Sequence, residues 1–168
     1  MSAPAPPLRR VAVGIGQLAV SRDPEEALVA YGLGSCIGVA VYDPVAKVAG
    51  MVHVLLPSSD GRQPDEREPA RFADTGVERL MALMAQAGAL RGRLLVKIAG
   101  GAAVLGRANA EKFKIGDRNV EAILDQLRRF DLRPAAQDVG GTQGRTLELH
   151  VATGRSFVRL ASATAKEL

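Results

Sequence analysis

The chain has 168 residues, 47% of them apolar, which is enough for one domain with its own hydrophobic core. With no Trp, two Tyr and four Phe the core must be aliphatic, and a single cysteine excludes an internal disulfide. The 22 basic and 18 acidic residues leave a charge of +4. The basic residues are scattered among acids without interleaved aromatics, which argues against nucleic acid as a partner.

The opening "MSAPAPPLRR" reads as a flexible tail over residues 1–10, without an apolar stretch of signal-peptide length. One domain is expected over residues 11–168. No run approaches the roughly 18 apolar residues of a membrane span, so a cytoplasmic protein that is not membrane-inserted is expected. In "RVAVGIGQLAVS" the alternation of Val11, Val13 and Ile15 predicts a first strand. Its "GIGQLA" matches a dinucleotide fingerprint in form, but "SRDPEE" follows where that fingerprint needs a helix. A short apolar run, Leu28 to Tyr31, ends at Gly32 and Gly34. "CIGVAVYDPVAKVAGMVHVLLP" then reads as two strands about an Asp43-Pro44 turn, and "SSDGRQPDEREPAR" as a loop beside the second strand, able to cover a site there.

Two segments carry helical period. In "FADTGVERLMALMAQAG" the positions Val77, Leu80, Met81 and Met84 share a face, Asp74 or Thr75 can cap the start, and Gly88 can stop the helix. "GDRNVEAILDQLRRF" repeats the pattern through Val120, Ile123, Leu124 and Leu127, with Asp117 or Asn119 as capping oxygens and Arg128 and Arg129 at the cationic end. Between them Leu94 to Ala99 reads as a buried strand that leaves through Gly100-Gly101. "RTLELHVATGRSFVRLAS" predicts a terminal hairpin around Ala152 to Gly154, with His150 on its solvent side. The expected class is α/β (α+β): a layered sandwich of a mixed sheet rich in antiparallel hairpins, with two long helices packed on it.

Cys36 and His53 are the candidate site. A turn centred between Pro44 and Val45 sets Asp43 opposite Ala46 and Cys36 opposite His53. Directly opposed residues project from one face with Cβ atoms roughly 4.5–5.5 Å apart, close enough for a thiol and an imidazole to meet. The imidazole can then take the thiol proton, and the amides beside Gly34 and Ser35 can serve as an oxyanion hole. The alternative is that Cys36 is a small buried hydrophobe and His53 a satisfied core residue; spacing alone leaves both open. Two histidines and one cysteine make no metal-ligand cluster, and no cofactor is expected.

The motifs "GLGSCIGVAVYDP", "GMVHVLLP", "FADTG", "KIAGGAAVL", "IGDRNVEA" and "DVGGTQGR", in this order, resemble the CheD family of chemoreceptor glutamine deamidases. The blocks span roughly Val11 to Leu160. The resemblance implies a sandwich of sheet and helices with Cys36 as nucleophile and His53 as its base. It implies a protein-glutamine glutaminase that converts glutamines of methyl-accepting chemotaxis receptors to glutamates through a thioester, releasing ammonia. It also implies a possible partner, a CheC-type phosphatase of the response regulator CheY; a largely non-catalytic regulator of that phosphatase is the alternative function. Some relatives carry a threonine six residues before the cysteine, where this chain has Ala30. Ser35, Ser58 and Ser59 are the candidates to replace its hydroxyl.

Overall fold

The computed structural model describes residues 3–104 and 110–168. Residues 1 and 2 of the expected tail, and Leu105 at the end of "KIAGGAAVL", lie outside them. Among the described residues the strands form two five-stranded sheets. The first runs β1 (Arg9–Ala12), β3 (Glu26–Leu33), β8 (Arg145–His150), β9 (Ser156–Leu160), β10 (Lys166–Glu167) in spatial order. The second runs β2 (Leu18–Ser21), β5 (Val48–Val54), β4 (Ile37–Asp43), β6 (Leu95–Gly100), β7 (Pro134–Val139). Helices α1 (Ala73–Gln86) and α2 (Ala110–Arg129) pack on the second sheet. The class is the expected α+β, with its strands divided between two sheets.

The central hairpin explains that division. Every residue of β4 and β5 is buried. Ile37, Val39, Val41, Val48, Val52 and Val54 belong to the layer under the helices, with Leu80, Met84, Ile123 and Leu127. Ala40, Tyr42, Ala49 and Met51 face the other way, into a second layer with Leu28, Leu147 and Leu149 of the first sheet. A strand covered on both faces reads as a continuous apolar run. Fully burying one Leu, Ile or Met contributes about 1.5–3 kcal/mol, so these two layers carry most of the driving force.

Several local expectations are corrected. Arg9 and Arg10, assigned to the tail by composition, start β1, where Arg9 pairs with Glu26. The single strand expected in "RVAVGIGQLAVS" is split: β1 ends at Ala12, the chain turns at Ile15 and Gly16 (φ 76°), and β2 begins at Leu18. Phe72, the residue just ahead of helix α1, offers no side-chain cap. Asp74 instead accepts the Ser59 N–H and, at 2.7 Å, the Ser59 hydroxyl, pinning the loop that follows β5. Helix α2 begins well before "IGDRN", so Asp117 and Asn119 stand in its body and cap nothing. The terminal hairpin forms as expected, with Leu149 opposite Ser156. Among the described residues no helix is long and apolar enough to cross a membrane.

The turn between β4 and β5 spans Pro44 to Lys47 and sets Asp43 opposite Val48. The fully buried Asp43 carboxylate holds it there. It accepts from Val45 N–H (2.9 Å) and Ala46 N–H (3.0 Å) within the turn, and from Leu90 N–H (2.9 Å) and Arg93 Nη2 (2.7 Å) outside it. Burial opposes its ionisation, but Arg93 and the three amides outweigh that and hold its pKa far below the usual carboxylate range.

Candidate active site

The observed register places Gly38, not Cys36, opposite His53. The turn is two residues longer than a loop closing at Asp43 and Ala46, so the ladder slips by two. An even slip keeps every side chain on its face. Cys36, just ahead of β4, therefore lies diagonal to His53, where Cβ separations are roughly 7–8 Å or somewhat less. Cys36 shares the layer between the sheets with Ala40, Met51 and Ala99, and His53 has the same strand phase as Met51.

His53 is 1% exposed, and its surroundings fix its tautomer. Nδ1 lies 3.0 Å from the carbonyl oxygen of Val13, so Nδ1 carries the proton and donates it. Nε2 is buried with no hydrogen-bond partner among the described residues. That ring nitrogen is a free base. The backbone is held equally well: His53 N–H donates to Gln17 C=O at 3.0 Å and Gly16 N–H donates to His53 C=O at 2.8 Å. The β1–β2 bend, with no chemistry in its sequence, is what orients the imidazole.

Cys36 is 5% exposed and ends the bend Gly34 to Cys36, which leaves β3 just past Gly32 at φ 65°. Three successive carbonyls of this bend are tied into the protein. Ala102 N–H donates to Gly34 C=O at 2.7 Å, Asn119 Nδ2 to Ser35 C=O at 2.9 Å, and Gly101 N–H to Cys36 C=O at 2.9 Å. The N–H groups of Ser35 and Cys36 donate to no loop carbonyl among the described residues. Gly100 is required by this packing: its φ is 121°, and a Cβ there would stand 2.1 Å from the Cys36 carbonyl oxygen.

Burial pushes the Cys36 thiol pKa up, with its own backbone N–H opposing in part. Burial pushes the His53 pKa down, against the Val13 hydrogen bond. Both shifts favour a neutral thiol and a neutral imidazole at pH 7 rather than a standing ion pair.

Sequence reasoning missed Asn119 as part of this site. Its Nδ2 donates to Ser35 C=O and, at 3.0 Å, to Leu55 C=O, while its Oδ1 is buried with no partner among the described residues. A signal existed: Asn119 sits one turn before Ile123 and two before Leu127, an amide in phase with an apolar stripe. Ala30 is fully buried, its Cβ 3.6 Å from where a Cβ on Gly38 would stand, so it overlies the residue facing His53. Of the serines considered, Ser58 donates to Asp60 and Ser59 to Asp74.

Known proteins resemble this chain along nearly its whole length. The family model for CheD, described as chemotactic sensory transduction, matches residues 55–160. The probable chemoreceptor glutamine deamidase CheD of Symbiobacterium thermophilum is 47% identical over 95% of this chain and 98% of its own. The chain belongs to the CheD family. The chemoreceptor glutamine deamidase CheD of Halalkalibacterium halodurans is 42% identical over 94% of this chain and 98% of its own. That of Thermotoga maritima is 42% identical over 88% and 89%. The CheD family match starts at Leu55 and so takes in Asp74 and Asn119. Cys36 and His53 precede it. Among solved structures, the Bacillus licheniformis protein YfiH is similar at TM-score 0.41 and 11% identity, over 74% of this chain and 49% of its own.

Proposed function

We propose that this CheD protein is a chemoreceptor glutamine deamidase in which Cys36 is the nucleophile and His53 its base. The observation that carries the reading is the unpartnered Nε2 of His53, buried in the same layer as the chain's one thiol. The names of the CheD relatives supply the substrate, a glutamine side chain on a chemoreceptor.

The reaction starts from the neutral pair. The Cys36 Sγ–H proton passes to Nε2 as Sγ bonds to the carboxamide carbon, and the carbonyl electrons become an oxyanion. The N–H groups of the Gly34 to Cys36 bend are the donors for that oxyanion, since its carbonyls are all turned into the protein. Collapse breaks the C–N bond, and the proton on Nε2 goes to the departing nitrogen, which leaves as ammonia. His53 then takes a proton from water as the water oxygen attacks the thioester. The C–S bond breaks, the proton returns to Sγ, and the receptor keeps a glutamate. The Val13 carbonyl accepts the Nδ1 hydrogen throughout and favours the imidazolium in each transition state.

The test is conversion of a glutamine-bearing receptor fragment, read by mass spectrometry of its peptides. The native protein is expected to convert specific glutamines and Cys36→Ala none. Absence of conversion by the native protein, or undiminished conversion by Cys36→Ala, contradicts the proposal. A second reading, regulation of a CheC-type phosphatase with little catalysis, draws on the buried methyl of Ala30 standing over the Gly38–His53 pair where some relatives have a hydroxyl. It predicts that Cys36→Ala keeps the ability to bind and stimulate such a phosphatase while the native protein leaves receptors unchanged.

A further inference from the structure

Asn119 holds two carbonyls that belong to different arms of the site. Ser35 C=O precedes the thiol residue by one position, and Leu55 C=O follows the imidazole residue by two. Both hydrogens of one Nδ2 are used, at 2.9 and 3.0 Å. The amide cannot be flipped, because Oδ1 would then face two carbonyl oxygens. Gly101 and Ala102 also bind the cysteine bend, but both lie on the β6 side of it; the Asn119 side chain also reaches the end of the His53 strand.

Helix α2 is seated to make this reach. A Cβ at Gly116, one turn before Asn119, would stand 2.5 Å from the Gly101 carbonyl oxygen, so the helix lies directly against the bend that binds Cys36 C=O. One and two turns further on, Ile123 and Leu127 are fully buried. The helix is fixed from both ends of this stretch, and so is the amide between them. Oδ1 is buried with no partner among the described residues, a cost the amide bears while its two donors serve the Ser35 and Leu55 carbonyls, which an apolar residue would leave without them.

We propose that Asn119 is a positioning residue: a two-hydrogen clamp that sets the separation of the Cys36 bend and the His53 strand. The proposal rests on the Cys36–His53 reading above. Loss of the clamp lets the bend drift relative to β5, and a displacement near 1 Å is worth up to roughly 100-fold in rate.

Because Cys36 is the only cysteine, alkylation by iodoacetamide reads one site in the intact protein, without any receptor. Native protein, His53→Ala, Asn119→Leu and Asn119→Ser are compared across pH 5–10, with the folded fraction measured by circular dichroism. Leu fills the space without donors; Ser is smaller, keeps one donor and serves if Leu fails to fold. The expected result is a native profile carrying the His53 titration, its loss in His53→Ala, and the same loss in Asn119→Leu. Deamidation should show kcat reduced roughly 10- to 100-fold with KM within about twofold. If His53→Ala changes the profile but the folded Asn119 variants keep the native one, the clamp is refuted and the dyad stands. The clamp is also refuted if the variants lose thermal stability while kcat per folded molecule is native. If His53→Ala leaves the profile unchanged, the dyad falls and the role of Asn119 with it.

Discussion

Replacing Asp43 with Asn removes one charge and one acceptor from the turn that sets the register between β4 and β5. In the native protein one carboxylate oxygen accepts Val45 and Ala46 N–H, the other accepts Leu90 N–H and Arg93 Nη2, and Arg93 Nε is shared between the two. An Asn that keeps the first oxygen turns an NH2 group toward Leu90 N–H and Arg93, donor against donors. One neutral hydrogen bond at about 1 kcal/mol and one charged bond at the lower end of about 1.5–3 kcal/mol are lost, and Leu90 N–H is left unpaired. The sum is about 3 kcal/mol, with the lower figure used for the ion pair because Arg93 is 31% exposed. For a chain of this length that is a fall of roughly 6–12 °C in Tm. Urea unfolding at a series of pH values adds a second check. The folded pKa of Asp43 is depressed, so its contribution is complete above the unfolded value and fades as pH falls toward the folded one. The gap between native and Asp43→Asn should be constant from pH 8 to 5 and shrink by about 1 kcal/mol at pH 3. A variant within about 1 kcal/mol of native at pH 7, or a gap unchanged at pH 3, would refute the account of the turn.

Gly100→Ala should fold with a loss of about 1–3 kcal/mol from backbone strain and lose at least tenfold in kcat, since its Cβ displaces the Cys36 carbonyl; native kcat in a folded variant would contradict this. The acid limb of kcat/KM for deamidation should lie below the ordinary histidine value of about 6.5, because the buried imidazole stays neutral to lower pH and only its neutral form takes the thiol proton. A limb above 6.5 would mean that His53 is not the base or is not buried during turnover. Asp74→Ala releases Ser59, so trypsin should cut at Arg62 and Arg67 several times faster than in the native protein, with little change in global stability. Equal cleavage rates would show that the loop is held by other contacts.

Much of the fold was legible because its signals are local. The stripe Val77, Leu80, Met81, Met84 gave α1, and the turn at Ala152 to Gly154 gave the terminal hairpin. What escaped depends on contacts distant in sequence. The β4–β5 register was misjudged by two because Asp43 closes the turn through Leu90 and Arg93, residues about fifty positions away. The edge strand β7 begins at a proline and has no alternation to announce it. The proposed pair, Cys36 and His53, keeps a shared face because the slip is even. The tautomer of His53 depends on a Val13 carbonyl that no motif marks, and Asn119 looked like a helix cap because its partners lie 84 and 64 residues away.

The central claim is that the Cys36 sulfur bonds to the substrate carbonyl carbon as its proton passes to His53. Its most direct test is intact-mass spectrometry of the protein mixed with a glutamine-bearing receptor peptide and quenched in acid. The account predicts a covalent species of protein plus peptide minus ammonia, carried on Cys36 and absent from Cys36→Ala. Glutamate formed with no such adduct at any quench time, or an adduct persisting in Cys36→Ala, would contradict it.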